Sequence, residues 1–318
     1  MLRAPILLAA RNKTVERIVT NWTPSRAVVD RFVGGADYSA AVGVAEGLLA
    51  RGLTVTMDHL GEDVTDVDQA QETVRAYQNV LTALHQAGLT GPVDGRPATA
   101  RADVSVKLSA VGQALPGEGQ KIALDNALAV CAAAEAVGAT VTLDMEDHTT
   151  TDSTLEILRQ VRVDFPATAA VLQAYLRRTE GDCRDLAVAG SRVRLCKGAY
   201  AEPESVAYQE RIDVDLSYVR CMNILLAGDG YPMLATHDPR MIEIAEERST
   251  FHGKKPDQME FQMLYGIRPT EQARLAAAGR TVRVYVPYGS QWFGYLMRRL
   301  AERPANLGFF ARALATRS

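Results

Sequence analysis

Eight short β-prone runs, each followed by a stretch long enough for a helix, recur along this chain and restrict its fold more than any other feature. They are LTVTMDHLG (53–61), ADVSVKLS (102–109), TVTLDME (140–146), AVLQAYL (170–176), RVRLCKGAY (192–200), YPMLATHD (231–238), MEFQMLYG (259–266) and TVRVYVPYG (281–289). Helical patterns such as 66–87, 120–137 and 203–227 lie between them, and Gly52, Gly88, Gly138 and Gly279 stand where helix ends need glycine. Strands that alternate with helices pair in parallel, because only a crossover helix returns the chain to the same end of a sheet. Eight such units predict a closed (β/α)8 barrel, with helices preceding the first strand and a last helix over the barrel mouth. An open doubly wound sheet is the rival topology, but no GxGxxG follows an early strand to support a dinucleotide fold.

The whole chain of 318 residues fits one such domain, 1–318, with 1–52 as its N-terminal helical segment. A net charge of −3 and the absence of a long basic run argue against nucleic acid as a partner. Cys131, Cys183, Cys196 and Cys221 are widely spaced without a CxxC, which disfavours zinc and suits a reducing cytoplasm. The opening MLRAPILLAARNK faintly looks like a signal peptide, but its apolar run is too short to span a membrane, and a plain helix is the expectation.

The strands are not the continuous apolar runs usual in parallel sheets. Val104, Val106 and Leu108 oppose Ser105, Lys107 and Ser109; Val141, Leu143 and Met145 oppose Thr142, Asp144 and Glu146. Val193, Leu195 and Lys197 likewise oppose Arg192, Arg194 and Cys196, and Val282, Val284 and Val286 oppose Arg283, Tyr285 and Pro287. If the apolar faces meet the helices, the polar faces line the lumen. Unpaired charge there costs several kcal/mol, roughly, so a polar lumen implies a polar ligand. Barrel enzymes keep their chemistry at the C-terminal strand ends, where Glu62, Lys107, Asp144, Gln173, Lys197, His237 and Tyr285 fall.

The segment after the last strand carries a pair of arginines. On a helical wheel Trp292, Phe293, Leu296, Met297 and Leu300 form one stripe, and Tyr295, Arg298, Arg299 and Glu302 another. The second stripe reads either as a solvated face or as two guanidinium forks aimed at a carboxylate or phosphate. Lys107 taken alone also reads as a barrel lysine paired with Asp144, or as a Schiff-base lysine. The run DMEDH (144–148) also admits a hydrolase that uses Asp144 and Glu146, as a glycosidase pair or a divalent-metal site, although aromatics make up only 6% of the chain. A non-enzymatic binding barrel is the third class.

Taken together, HLGED (59–63), SVKLS (105–109), LDME (143–146), QAYLRR (173–178), RLCKGAY (194–200), ATHD (235–238), FQMLYG (261–266), VRVYVPYG (282–289) and YLMRRLAE (295–302) resemble proline dehydrogenases, in that family's order and spacing. The resemblance runs from about residue 25 to 310 and is closest in length to small monofunctional bacterial members. It implies non-covalent FAD at the mouth of the barrel. It also implies oxidation of L-proline to Δ1-pyrroline-5-carboxylate by hydride transfer to flavin N5, and a membrane quinone as electron acceptor.

Matched position by position, the resemblance assigns Lys107, Arg298 and Arg299 to the proline carboxylate and Glu62 to a pair with the first arginine. It sets Tyr285 against the proline ring with its hydroxyl near Asp144, and makes Leu264 and Tyr200 apolar walls. It gives Gln173, Arg194, Lys197, Gly198, Ala199, Tyr200, Thr236 and His237 to FAD, while Arg299 and Glu302 touch cofactor and substrate. Larger bifunctional relatives carry tryptophan after GAY; Ala201 stands there in this chain, so the adenosine end of FAD is held differently. A cytoplasmic location follows, with the amphipathic NLGFFARAL (306–314) as a candidate for weak peripheral membrane contact.

Overall fold

The computed structural model describes residues 29–61 and 64–302, apart from the side chains of 97–98 and 298–302. Glu62, the opening segment 1–28 and the amphipathic stretch 306–314 lie outside the described residues.

Eight parallel strands close into one barrel: β1 (Thr54–His59), β4 (Ala102–Lys107), β5 (Thr140–Asp144), β6 (Ala169–Gln173), β7 (Arg192–Cys196), β8 (Tyr231–Ala235), β9 (Glu260–Leu264) and β10 (Thr281–Tyr288). The first strand joins the last, with Val55 beside Val284 and Met57 beside Val286, and pairs on its other edge with β4. Each expected strand is present, and several stop earlier than their sequence runs, because the chain turns at the mouth.

The helices follow the same alternation. Before the first strand lies α1 (Tyr38–Leu49); after successive barrel strands come α2 (Val67–Gln86), α3 (Gly119–Ala136), α4 (Thr151–Asp164), α5 (Thr179–Leu186), α6 (Arg211–Ala227), α7 (Pro239–Phe251), α8 (Pro269–Ala277) and α9 (Trp292–Glu302). Aspartates start three of them: Asp37, Asp66 and Asp238 accept from the backbone N–H groups of Ala40, Gln69 and Arg240 at 2.9, 2.9 and 3.1 Å. Each bond satisfies a donor that the first helical turn would leave orphaned. One element was not expected: β2 (Pro92–Val93) and β3 (Arg96–Ala100) form a two-stranded antiparallel hairpin between α2 and β4.

The apolar core lies between strands and helices. Val55, Met57, Val104, Val106 and Leu143 are fully buried there, with Val74, Tyr77 and Leu81 of α2 in the same cluster. Removing each such side chain from water contributes about 1.5–3 kcal/mol.

Inside, the barrel carries buried polar and charged side chains at both ends, with Val171 and Met233 among them. At the strand starts, Arg283 donates to Glu260 at 2.7 Å and to the carbonyls of Val55 and Ala100 at 2.9 and 3.0 Å. One layer up, buried Asp103 accepts from the hydroxyls of Thr56, Thr140 and Thr142 at 2.9, 2.8 and 3.0 Å. The hairpin is tied to the same end. Arg96 donates to Thr281 and to the Gly279 carbonyl at 2.8 and 2.6 Å, and Thr99 lies 3.3 Å from the Tyr231 hydroxyl. The N-terminal end is thereby closed by paired groups, which leaves the opposite end as the mouth.

Candidate active site

The C-terminal ends of β1, β4, β5 and β10 bring four charged or polar side chains, Asp58, Lys107, Asp144 and Tyr285, together at the mouth. Lys107, the last residue of β4, donates to both carboxylate oxygens of Asp58 at 3.0 and 3.2 Å. Its partner is therefore Asp58 and not the Asp144 that its strand face suggested. Parallel register sets Lys107 directly beside Asp144 on β5, where both reach into the lumen, but Asp144 is already committed. It accepts from the Tyr285 hydroxyl at 3.1 Å and from Arg194 Nη1 at 2.9 Å. Burial, then the charge of Asp144, pushes the Tyr285 phenol well above its ordinary value, so it stays a donor.

Arg194 is held from several strands at once. Its Nε donates to Gln262 at 2.6 Å and Nη1 to Ser105 at 2.8 Å, and its guanidinium carbon lies 5.4 Å from the Tyr285 ring centroid. Asp103 is 3.6 Å from Nη2, yet Nη2 makes no hydrogen bond. Burial opposes ionisation of Asp58 more strongly than Lys107 promotes it, so its carboxyl is raised above the usual range.

The other expected contacts divide between the mouth and the barrel's flank. Gln173 is buried, and its side-chain amide donates to the Glu146 carbonyl at 2.7 Å. Thr236 is buried, and its hydroxyl accepts from Asp238 N–H at 3.1 Å. The backbone N–H of Leu264 donates to His237 Nε2 at 2.8 Å, and Arg268 donates to the His237 carbonyl at 3.0 Å. A backbone N–H can only donate, so that bond fixes Nε2 as acceptor and puts the imidazole proton on Nδ1. Leu264 is itself partly buried, whereas Tyr200 is 41% exposed and Ala199 beside it is exposed too.

Lys197 departs from the lumen. It stands one residue past β7 on the outward face, bonding Asp215 of α6, and Asp238 at the start of α7 at 3.0 Å. Burial resists ionisation of Asp238, but Arg240 and Lys197 together hold its carboxyl well below the usual range.

Gly198 adopts φ 112°, and a Cβ there would stand 2.2 Å from the Tyr175 ring. The glycine thus makes room for a neighbouring aromatic of this chain. Tyr175 in turn donates to Glu202 at 3.3 Å, and His148 bonds the same carboxylate through both its backbone N–H, at 2.9 Å, and Nδ1. This clasp joins the loop after β5 to the loop after β7.

The pairing of Asp144 with Glu146 as hydrolytic acids is not what the fold builds. Strand β5 ends at Asp144, and the Glu146 carboxylate turns to accept from Ser109 Oγ and Ser109 N–H at 2.6 and 3.0 Å. Among the described residues no cluster of three or more His, Cys, Asp or Glu side chains is arranged to hold a metal. A groove lined by Pro92, Ala134 and Phe165 lies beside the hairpin, away from these charges, and offers no comparable chemistry.

Helix α9 corrects its sequence reading in one respect. Tyr295, grouped with the charged stripe, is buried alongside Phe293 and Leu296. The side chains of Arg298, Arg299 and Glu302 lie outside the described residues. Asp58, which binds Lys107 at the centre of this network, is the residue that the sequence reading missed. Its signal was present, as the one acid on the Thr54–Thr56–Asp58 face of the first strand.

Comparison with known proteins identifies the family. The proline dehydrogenase family profile matches residues 41–312. Proline dehydrogenase 2 of Bacillus subtilis (strain 168) is 36% identical over 304 residues, covering 95% of each chain. A proline dehydrogenase of Deinococcus radiodurans is 36% identical over 318 residues, covering 99% of this chain and 98% of its own. Among solved structures, proline utilization A from Bdellovibrio bacteriovorus, inactivated by N-propargylglycine, superposes with a TM-score of 0.78 at 26% identity, over 94% of this chain and 36% of that longer one. With a closed (β/α)8 barrel, a lumen of paired charges at its mouth and matches of this extent, the chain belongs to the proline dehydrogenase family and is an oxidoreductase acting on proline.

Proposed function

We propose that this enzyme oxidises L-proline to Δ1-pyrroline-5-carboxylate with FAD bound at the barrel mouth, and delivers the electrons to a membrane quinone. The observation that carries this reading is the partly satisfied charge at the mouth. Arg194 is buried, and two of its three nitrogens are bonded while Nη2 makes no hydrogen bond. A donor left over in a buried site costs roughly 1–3 kcal/mol, which an acceptor on a bound group would recover. A buried cation at this height also fits a flavin that becomes anionic on reduction. When bound, FAD supplies the chemistry of accepting a hydride at N5 and releasing the electrons to the quinone.

The chain's own residues do the remaining work. Lys107, Arg298 and Arg299 grip the proline carboxylate, fixing the ring in one pose before reaction. Tyr285 packs against the ring, its hydroxyl pinned on Asp144, and Leu264 and Tyr200 complete the apolar wall. Gln173, Thr236 and His237 hold the cofactor, together with Arg299, Glu302 and the Gly198–Ala199 backbone, and Glu62 closes the pocket on Arg298. Lys197 reaches FAD only if it exchanges its bonds to Asp215 and Asp238 for a phosphate oxygen.

We place the enzyme in the cytoplasm with at most peripheral membrane contact. Among the described residues no helix is long and apolar enough to cross a membrane, and the four cysteines form no disulfide. The test is a visible absorption spectrum of the FAD-loaded protein before and after anaerobic proline. Flavin bands that bleach on addition support the reading, and a protein that takes up FAD but does not bleach with proline refutes it.

A further inference from the structure

Asp58 is a buried acid that no expectation used, and its position gives it a specific task. It is 1% exposed, and both its oxygens accept from Lys107, at 3.0 and 3.2 Å. The pair lies at the mouth, where the Lys107 side chain keeps 13% of its exposure and Asp58 only 2%. The lysine is therefore the member that faces the pocket, and the aspartate the member behind it.

We propose that Asp58 is a positioning residue for the reaction: it holds the Lys107 ammonium charged and aimed into the pocket, so that the substrate carboxylate meets a fixed cation. This rests on the reading of Lys107 as a carboxylate ligand given above.

A flexible lysine stem loses rotamer freedom when held, and a two-point bond from a buried carboxylate fixes it in advance of binding. A lone ammonium drawn out of water is easily deprotonated; an adjacent carboxylate opposes that. Among the described residues, Asp144 and the Tyr77, Tyr285 and Tyr288 phenols stand near Asp58, and His59, on the same strand and packed on Tyr77 and Tyr288, feels the charge of Lys107. His59 is held toward its neutral form, by burial first and then by Lys107, and burial raises all three phenols, so these four neighbours stay uncharged at neutral pH. The Asp144 carboxylate is also nearby, and its bonds go to Arg194 and Tyr285. Among the described residues, Asp58 is thus the carboxylate seen bonded to Lys107.

The test uses the FAD-loaded holoenzyme of Asp58→Asn, Lys107→Met and the double variant. The probes are proline turnover and the affinity of cyclopentanecarboxylate, a ring acid of proline's shape with no amine to oxidise. We expect Asp58→Asn to raise KM for proline and weaken cyclopentanecarboxylate about tenfold, while kcat falls less. The weakening should grow between pH 6 and pH 9, because the ammonium without its carboxylate gives up its proton more readily. In the double variant, Asp58→Asn should add nothing to Lys107→Met, and that comparison keeps the test valid if the single Asp58 variant folds poorly.

If Lys107→Met leaves the affinity for cyclopentanecarboxylate unchanged, the carboxylate-ligand reading itself fails. If Lys107→Met weakens binding but Asp58→Asn does not, or weakens it equally at every pH, the positioning role of Asp58 is overturned.

Discussion

Both ends of the lumen hold buried ion pairs, and they spend them differently. At the closed end Arg283 and Glu260 are 1% and 0% exposed, and Gln262 and Tyr231 also reach the glutamate, at 2.5 and 3.3 Å. All three guanidinium nitrogens of Arg283 are bonded within the chain. At the mouth, Lys107 and Asp144 keep 13% and 14% of their side-chain exposure, and Arg194 keeps an unbonded Nη2. The Arg283–Glu260 pair satisfies itself and so serves the fold, although Arg192 Nε at the same end makes no hydrogen bond. At the mouth, the unbonded donor of Arg194 lies beside charge that is partly exposed. Neither buried charge nor one unbonded donor by itself marks a site; an unbonded donor beside accessible charge is what distinguishes the mouth.

The largest effect should come from breaking the closed end. Arg283→Met strands a buried carboxylate, and losing one member of such a pair costs about 3–5 kcal/mol. For a chain of this size that lowers Tm by on the order of 10 °C, measured by thermal unfolding of purified protein. Arg298→Met or Arg299→Met acts at the other end. Each loses a charge-assisted contact worth about 1.5–3 kcal/mol, so KM for proline should rise roughly 10- to 100-fold. Wild-type steady-state kinetics in both variants would remove the doublet from the carboxylate site. Smaller again is Tyr285→Ser. Removing the ring should open space for a hydroxylated substrate and cut the preference for proline over 4-hydroxyproline by about tenfold in kcat/KM. An unchanged ratio would separate Tyr285 from substrate packing.

The smallest effect is a difference in pH dependence. Burial works against ionisation of Glu260, but Arg283 outweighs it and holds the folded value below 4.5. Its stabilisation is thus fully present above 4.5 and lost as pH falls through the lower folded value. Asp58 is shifted the other way, above 3.8, so its contribution favours the fold below 3.8 and is lost as pH rises through the folded value. In urea unfolding across the acid range, wild type should therefore gain on Glu260→Gln and lose ground to Asp58→Asn as pH rises. Parallel curves would mean that the two ends are electrostatically alike.

The barrel was legible because its strands alternate. In four of the eight runs, valines and leucines against serines, threonines and charges told outside from lumen, and Asp144, Arg194 and Tyr285 converge as that pattern required. The hairpin was hidden because Pro92 and Pro97 interrupt a short segment with no alternation to read. Asp58 escaped because attention to the last residues of strands passed over an acid one position earlier. Lys197 shows the limit of a matched motif: it follows the lumen strand directly, yet its alternation faces α6 and α7, and two aspartates hold it there. Tyr295 was grouped by helical spacing with charged residues, but spacing does not say which face the barrel covers.

Anaerobic proline titration of flavin absorbance, run side by side on Lys107→Met and Arg283→Met holoenzymes and scaled to folded protein, separates the two ends most directly. A self-satisfied Arg283–Glu260 pair at the base and a partly exposed Lys107 at the mouth predict that Lys107→Met shifts half-saturation tenfold or more, whereas Arg283→Met stays within about twofold of wild type despite the larger fall in Tm. A proline affinity lost in Arg283→Met and retained in Lys107→Met would contradict that division.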